Sequence, residues 1–148
     1  MKILQLIILF GLSLLAGSAF AASEIVSSHA WARATAPGQE VGAAYITLQS
    51  ARNTRLYKAE SVVASQVEIH NMTMSNGVMQ MRKLDGLALI ANKATTLEPG
   101  ALHLMLLGLK KPLTAGEKIK ISLYFKQDDG KISVVHPQFS VISGENPP

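Results

Sequence analysis

The sequence predicts an all-β domain. Three observations carry this reading. Short strand-like runs recur along the chain with turn signals between them, and no stretch holds an apolar helical period for three turns. The third is the run KIKISLYF, where Ile119, Ile121, Leu123 and Phe125 alternate with Lys118, Lys120, Ser122 and Tyr124. Such alternation sends one face into a core and the other into water. Short strands at this spacing favour a β-sandwich or a Greek-key barrel.

The elements follow in order. Residues 1–21 read as a cleaved export signal: Met1-Lys2 is a positive start, an apolar run follows, and Ala19-Phe20-Ala21 has the small-x-small form of a cleavage site. The run is shorter than the roughly 20 residues of a membrane span, so the mature chain, residues 22–148, is expected to be one soluble domain. No cysteine follows the run to carry a lipid. Strands are expected at 25–30, 43–49, 57–61, 67–72, 78–84, 87–90, 94–97, 102–107, 118–125 and 132–141. Between them Ala36-Pro37-Gly38, Asn76-Gly77, Asp85-Gly86, Glu98-Pro99-Gly100, Ala115-Gly116 and Asp128-Asp129-Gly130 supply positive φ or a preset bend. The tail SGENPP reads as a frayed terminus.

Composition removes several function classes. The net charge of +4 becomes +3 when Lys2 leaves with the signal, 13 Lys and Arg standing against 10 Asp and Glu. These charges are dispersed and not interleaved with aromatics, so no nucleic-acid footprint forms. No Cys nucleophile, Gly-x-Ser-x-Gly, phosphate-cradling loop or HExxH is present, and Glu60 and Glu68 have no partner identifiable in the sequence. The reading is of a non-enzyme. Without cysteine there is no disulfide framework, and any soft-metal site must use thioether sulfur.

Methionine is concentrated where chemistry could sit. All methionines after Met1 fall in VEIHNMTMSNGVMQMR or ALHLMLLGL, and each segment holds a histidine. If Asn76-Gly77 forms a two-residue type I′ turn, Ser75 faces Val78, Met74 faces Met79 and Met72 faces Met81. His70, Met72, Met74, Met79 and Met81 then share one face, with Asn71, Thr73, Ser75 and Gln80 on the other. In the second segment His103 and Met105 share a face about 7 Å apart, at a rise of roughly 3.3 Å per residue, while Leu102, Leu104 and Leu106 point oppositely. Two imidazoles with two thioethers suit Cu(I), whereas a blue-copper centre would need the absent cysteine. Taken singly, each methionine reads as core filler and each strand histidine as structural; the coincidence is what points to a metal.

His70, ten residues, Met81, twenty-one residues, then His103-x-Met105 resembles the signature of the PCu(A)C family of periplasmic copper chaperones. AWARATAPGQEVGAAYITLQS, VEIH, GVMQMR and LEPGALHLMLLGLKKPLTAGE are similar to the family's flanking text, so the resemblance covers about residues 25–141. It implies a cupredoxin-like Greek-key β-sandwich that binds Cu(I) through His70, Met81, His103 and Met105. It also implies a periplasmic metallochaperone for an apo cuproprotein, notably the CuA centre in the copper subunit of cytochrome c oxidase, working beside thioredoxin-fold Sco proteins. Some family members carry a His/Met-rich tail for further copper, which SGENPP lacks.

A monomer is expected. Met72, Met74 and Met79 lie outside the signature and read as a transfer shelf or, preferably, an apolar rim. His29, His136, Trp31 and Arg33 read as fold or surface features. Two other functions stay open: copper storage or supply to another cuproenzyme, and a metal-free β-sandwich module whose methionines form an adaptable contact surface.

Overall fold

The computed structural model describes residues 24–144; the expected leader and the last residues of the tail lie outside them. Among the described residues there are twelve strands and no helix, as the patterning required. They are β1 (Ile25–Arg33), β2 (Val41–Ser50), β3 (Thr54–Glu60), β4 (Ala64–Ser75), β5 (Val78–Leu84), β6 (Leu87–Leu89), β7 (Ala94–Leu97), β8 (Leu102–Leu109), β9 (Lys118–Lys120), β10 (Ser122–Gln127), β11 (Ile132–Val135) and β12 (Gln138–Ile142).

Hydrogen bonding runs through one curled sheet in the order β11-β10-β3-β4-β8-β2-β1-β12-β9, with β5 on β4, β6 on β3 and β7 on β2. β3 meets β4 through the pair Ala59 and Val67, so the sheet hinges there into two layers. The two expected long strands are each broken. Residues 118–125 divide at Ile121, because β9 pairs with β12 while β10 pairs with β3 and β11. Residues 132–141 divide at His136-Pro137, where proline offers no amide to a ladder. Both breaks sit where the chain passes from one layer to the other, and they draw the two ends of the sheet together.

The alternation sets the core. Ile119, Ile121, Leu123 and Phe125 are buried, as the KIKISLYF pattern demands. They join Ile46, Leu48, Leu56, Leu104, Leu106 and Phe139 in one cluster drawn from both layers. Removing this much aliphatic and aromatic surface from water is the main stabilising term, at roughly 25 cal/mol per Å2.

The hairpin of β4 and β5 keeps the expected register: Met72 pairs with Met81, Met74 with Met79 and Ser75 with Val78. Asn76 (φ 51°) and Gly77 (φ 74°) take the two left-handed positions of the turn. Gly77→Val would put a β-branched residue there, at about 1–2 kcal/mol. Because β5 is exposed from Val78 to Lys83, the expected effect is local. Amide exchange should quicken in β5 and the end of β4 but not in β2 or β8, as NMR exchange measurements can check.

Candidate metal centre

The layer carrying β4, β8 and β2 has an inner face in the core and an outer face, and the histidines stand on the outer one. Along β8, Leu104 and Leu106 are fully buried in the core, so His103 and Met105 must project the other way. β4 pairs antiparallel with β8, setting His70 opposite His103 and Glu68 opposite Met105. The two imidazole centroids lie 5.8 Å apart with their planes tilted by 40°. Residues 33 positions apart in sequence thus become cross-strand neighbours.

The partners of each ring fix its tautomer. His103 Nδ1 donates to the Ala101 carbonyl at 3.0 Å. A carbonyl only accepts, so the proton is on Nδ1 and Nε2 carries the lone pair. His70 works through the opposite atoms: its Nε2 donates to Glu68 Oε2 at 2.8 Å. Its Nδ1 is buried without a hydrogen-bond partner. A buried ring nitrogen with an unused lone pair is costly unless something occupies it. A soft cation would fill that role, and a carboxylate and a carbonyl behind the rings are the kind of outer partner that metal-ligating histidines use.

Glu68 corrects the expectation that this carboxylate lacks a partner. Side chains two apart on a strand share a face, so Glu68 reaches His70, and Lys83, facing His70 from β5, reaches Glu68 Oε1 at 2.6 Å. Hydrogen bonds from Lys83 first and His70 second hold the Glu68 carboxyl below the usual carboxylate range. Glu60 is likewise partnered, by Lys58 at 2.7 Å and the Tyr124 hydroxyl at 2.8 Å. Both pairings are cross-strand or alternate-residue contacts invisible without the pairing scheme.

Met81, His103 and Met105 line one cleft of about 190 Å3, together with Arg33, Thr35 and Ala43. His70 is not among the residues lining it; its ring lies beside that of His103, 5.8 Å away between centroids. Three of the four candidate residues, from β5 and β8, thus meet in one cleft, and the fourth, His70 of β4, stands across the strand pair from His103. Arg33 is closer to the site than a plain surface feature would be. It stands one turn of the strand pleat beyond Trp31, which is buried and stacked on Tyr45 at 4.4 Å between ring centroids. His29 bonds Ser28 beside a bulge in β1, and His136 bonds Ser122; neither lies at the cleft.

Among the described residues no group of three or more histidine, aspartate or glutamate side chains could hold a metal ion. The sequence has no cysteine to supply a thiolate. The cleft presents the His103 imidazole and the thioethers of Met81 and Met105, with the His70 ring beside His103, a combination of donor types suited to a soft monovalent ion. His103 is 5% exposed and Met81 48%, so one side of the site is rigid and dry while the other opens to solvent.

The family model described as "Putative lipoprotein LpqE-like" matches residues 25–137. A curated relative from Leifsonia xyli subsp. xyli, "Putative lipoprotein Lxx21020", is 32% identical over 120 residues, covering 80% of this chain and 71% of that protein. "Uncharacterized protein RP573" of Rickettsia prowazekii is 34% identical over 108 residues, covering 69% of this chain and 60% of its own length. Among solved structures, Cu(I)-DR1885 from Deinococcus radiodurans is 30% identical, with a TM-score of 0.62 and coverage of 86% of this chain and 84% of that one. The copper-bound PCuAC domain from PmoF2 has a TM-score of 0.66 at 22% identity, covering 84% and 97%. It shares the fold.

Proposed function

The chain belongs to the LpqE-like family, whose fold is that of PCuAC domains, and on that premise we propose that it binds one Cu(I) as cargo and hands it to another protein. The ligands in this reading are His70 Nδ1, His103 Nε2 and the thioethers of Met81 and Met105. The observation that carries it is the facing pair of histidines, each with one ring nitrogen tied to an outer acceptor and His70 Nδ1 buried without a partner, with Met81 and Met105 lining the cleft beside His103. The copper-bound forms of the solved relatives support it.

The asymmetry of the site suits delivery. His103 is held by the Ala101 carbonyl just ahead of β8, and His70 by Glu68, which Lys83 holds in turn, so the imidazole half is preorganised. Met81 rides on an exposed hairpin strand, where an incoming ligand can displace its weakly held thioether before the copper leaves. Neutral ligands spare the site the cost of burying a second charge with the ion.

We further infer a periplasmic setting and, as acceptor, an apo cuproprotein such as the copper subunit of cytochrome c oxidase, with Sco-like proteins as companions. No helix among the described residues is long and apolar enough to cross a membrane. Titration with Cu(I) against a competing chelator tests the binding: one tight equivalent is expected, and a stoichiometry near zero overturns the reading. Mixing the loaded protein with the apo soluble domain of the oxidase copper subunit under reducing conditions tests delivery; absence of net transfer would favour storage or another acceptor.

Glu68 supplies a separate prediction. Glu68→Ala removes the acceptor that places the proton on His70 Nε2, and such outer partners are worth about 10–100-fold in metal affinity. The expected result is a loss in that range with the fold intact. In the metal-free protein, 15N shifts of the His70 ring should change from the single Nε2–H tautomer to a mixture. Glu68→Gln, which keeps an acceptor oxygen, should recover much of the loss.

A further inference from the structure

The hairpin beyond the site holds thioethers that the proposed ligand set leaves unused. Met72 faces Met81 and Met74 faces Met79, so four sulfur side chains form two rungs on one face. Cross-strand rungs put Cβ atoms about 5 Å apart, and successive rungs lie roughly 7 Å along the strands. The opposite face of the same hairpin carries Asn71, Thr73, Ser75, Gln80 and Arg82, so the sulfur is segregated to one side.

Burial excludes the ordinary explanation for methionine. Met74 is 65% exposed and Met79 54% exposed, and neither belongs to the core cluster. Core filling therefore does not account for them, and an apolar rim would gain little from residues so open to water. Leucine, isoleucine or valine would also serve a strand tip better for packing. What methionine alone contributes at these positions is a soft, unbranched sulfur on a flexible stem.

We propose that Met72, Met74 and Met79 form a second, weaker Cu(I) site at the hairpin tip, from which the ion passes to the cleft. This deepens the function proposed above and rests on it. The step is ligand exchange alone: the thioether of Met81, across the inner rung from Met72, displaces Met74 or Met79 of the outer rung, with no change of oxidation state and no proton released. Thioethers are neutral and of one kind, so each exchange is nearly balanced until the imidazoles of His70 and His103 enter. The gradient from all-sulfur to mixed nitrogen and sulfur ligands gives the direction of loading. Met72 is part-buried while Met74 and Met79 are open, so access to solvent falls in the same direction.

The test uses the protein with methyl-13C methionine and Cu(I) kept reduced in dilute acetonitrile. The first equivalent should shift the Met81 and Met105 methyl signals, and the second those of Met72, Met74 and Met79. Met74→Leu/Met79→Leu should lose the second equivalent and retain the first. These exposed substitutions touch no core residue, so folding is preserved. The proposal is overturned if a second equivalent leaves the three methyls in place, or if the double variant still takes it up. Failure of the first equivalent to move Met81 and Met105 would instead refute the cleft as the primary site. The tip would then be judged on its own three signals.

Discussion

His103→Ala is expected to lower Cu(I) affinity by at least about 100-fold, since even an outer partner of a ligand is typically worth 10–100-fold. In the proposed ligand set His103 contributes the lone pair of Nε2, and the Ala101 carbonyl on the other side of the ring favours the tautomer that leaves it free for the metal. Its ring lies on the face away from the aliphatic core, so the cost in fold stability is one neutral hydrogen bond, about 1 kcal/mol, plus the local packing of a side chain only 5% exposed. Competition with a Cu(I) chelator, beside thermal unfolding of the metal-free variant, separates the two quantities. A variant that unfolds at the wild-type temperature and binds copper unchanged would remove His103 from the ligand set.

Leu104→Ala, one residue along, is expected to do the reverse. Leu104 is fully buried in the cluster that joins the two layers. Truncation of such a side chain typically costs about 2–5 kcal/mol, through lost transfer energy and the cavity left behind. Denaturant unfolding should show a lower midpoint with little change in slope. The fraction that stays folded should bind Cu(I) as the parent does, because residue 104 faces away from the cleft. Adjacent residues of one strand thus govern function and stability separately, as the period-two alternation of β8 requires.

That alternation was legible in the sequence, and so was the hairpin register, because Asn76-Gly77 admits few other turns. With both known, each half of the candidate donor set could be assembled from local rules. The joining of the halves could not. It depends on β4 lying beside β8 with His70 opposite His103, a long-range register that no local pattern encodes. The same gap hid the roles of Glu68, whose partners come from its own strand and from β5, and the approach of Arg33 to the cleft.

The two broken strands have a different cause. KIKISLYF alternates perfectly through Ile121, yet the chain changes hydrogen-bonding partners there while keeping its inward face. Side-chain periodicity reports burial, and burial is continuous across that corner. Pro137, by contrast, was a visible signal that a strand through residues 132–141 should stop.

The ligand set proposed for the cleft is tested most directly by X-ray absorption at the copper edge on protein loaded with one equivalent of Cu(I). The edge should report the monovalent state, and the fine structure should require sulfur and imidazole scatterers together. Met81→Leu and Met105→Leu should each diminish the sulfur contribution, and His70→Ala and His103→Ala the imidazole contribution. A shell that contains only nitrogen and oxygen, or one left unchanged by all four substitutions, would contradict it.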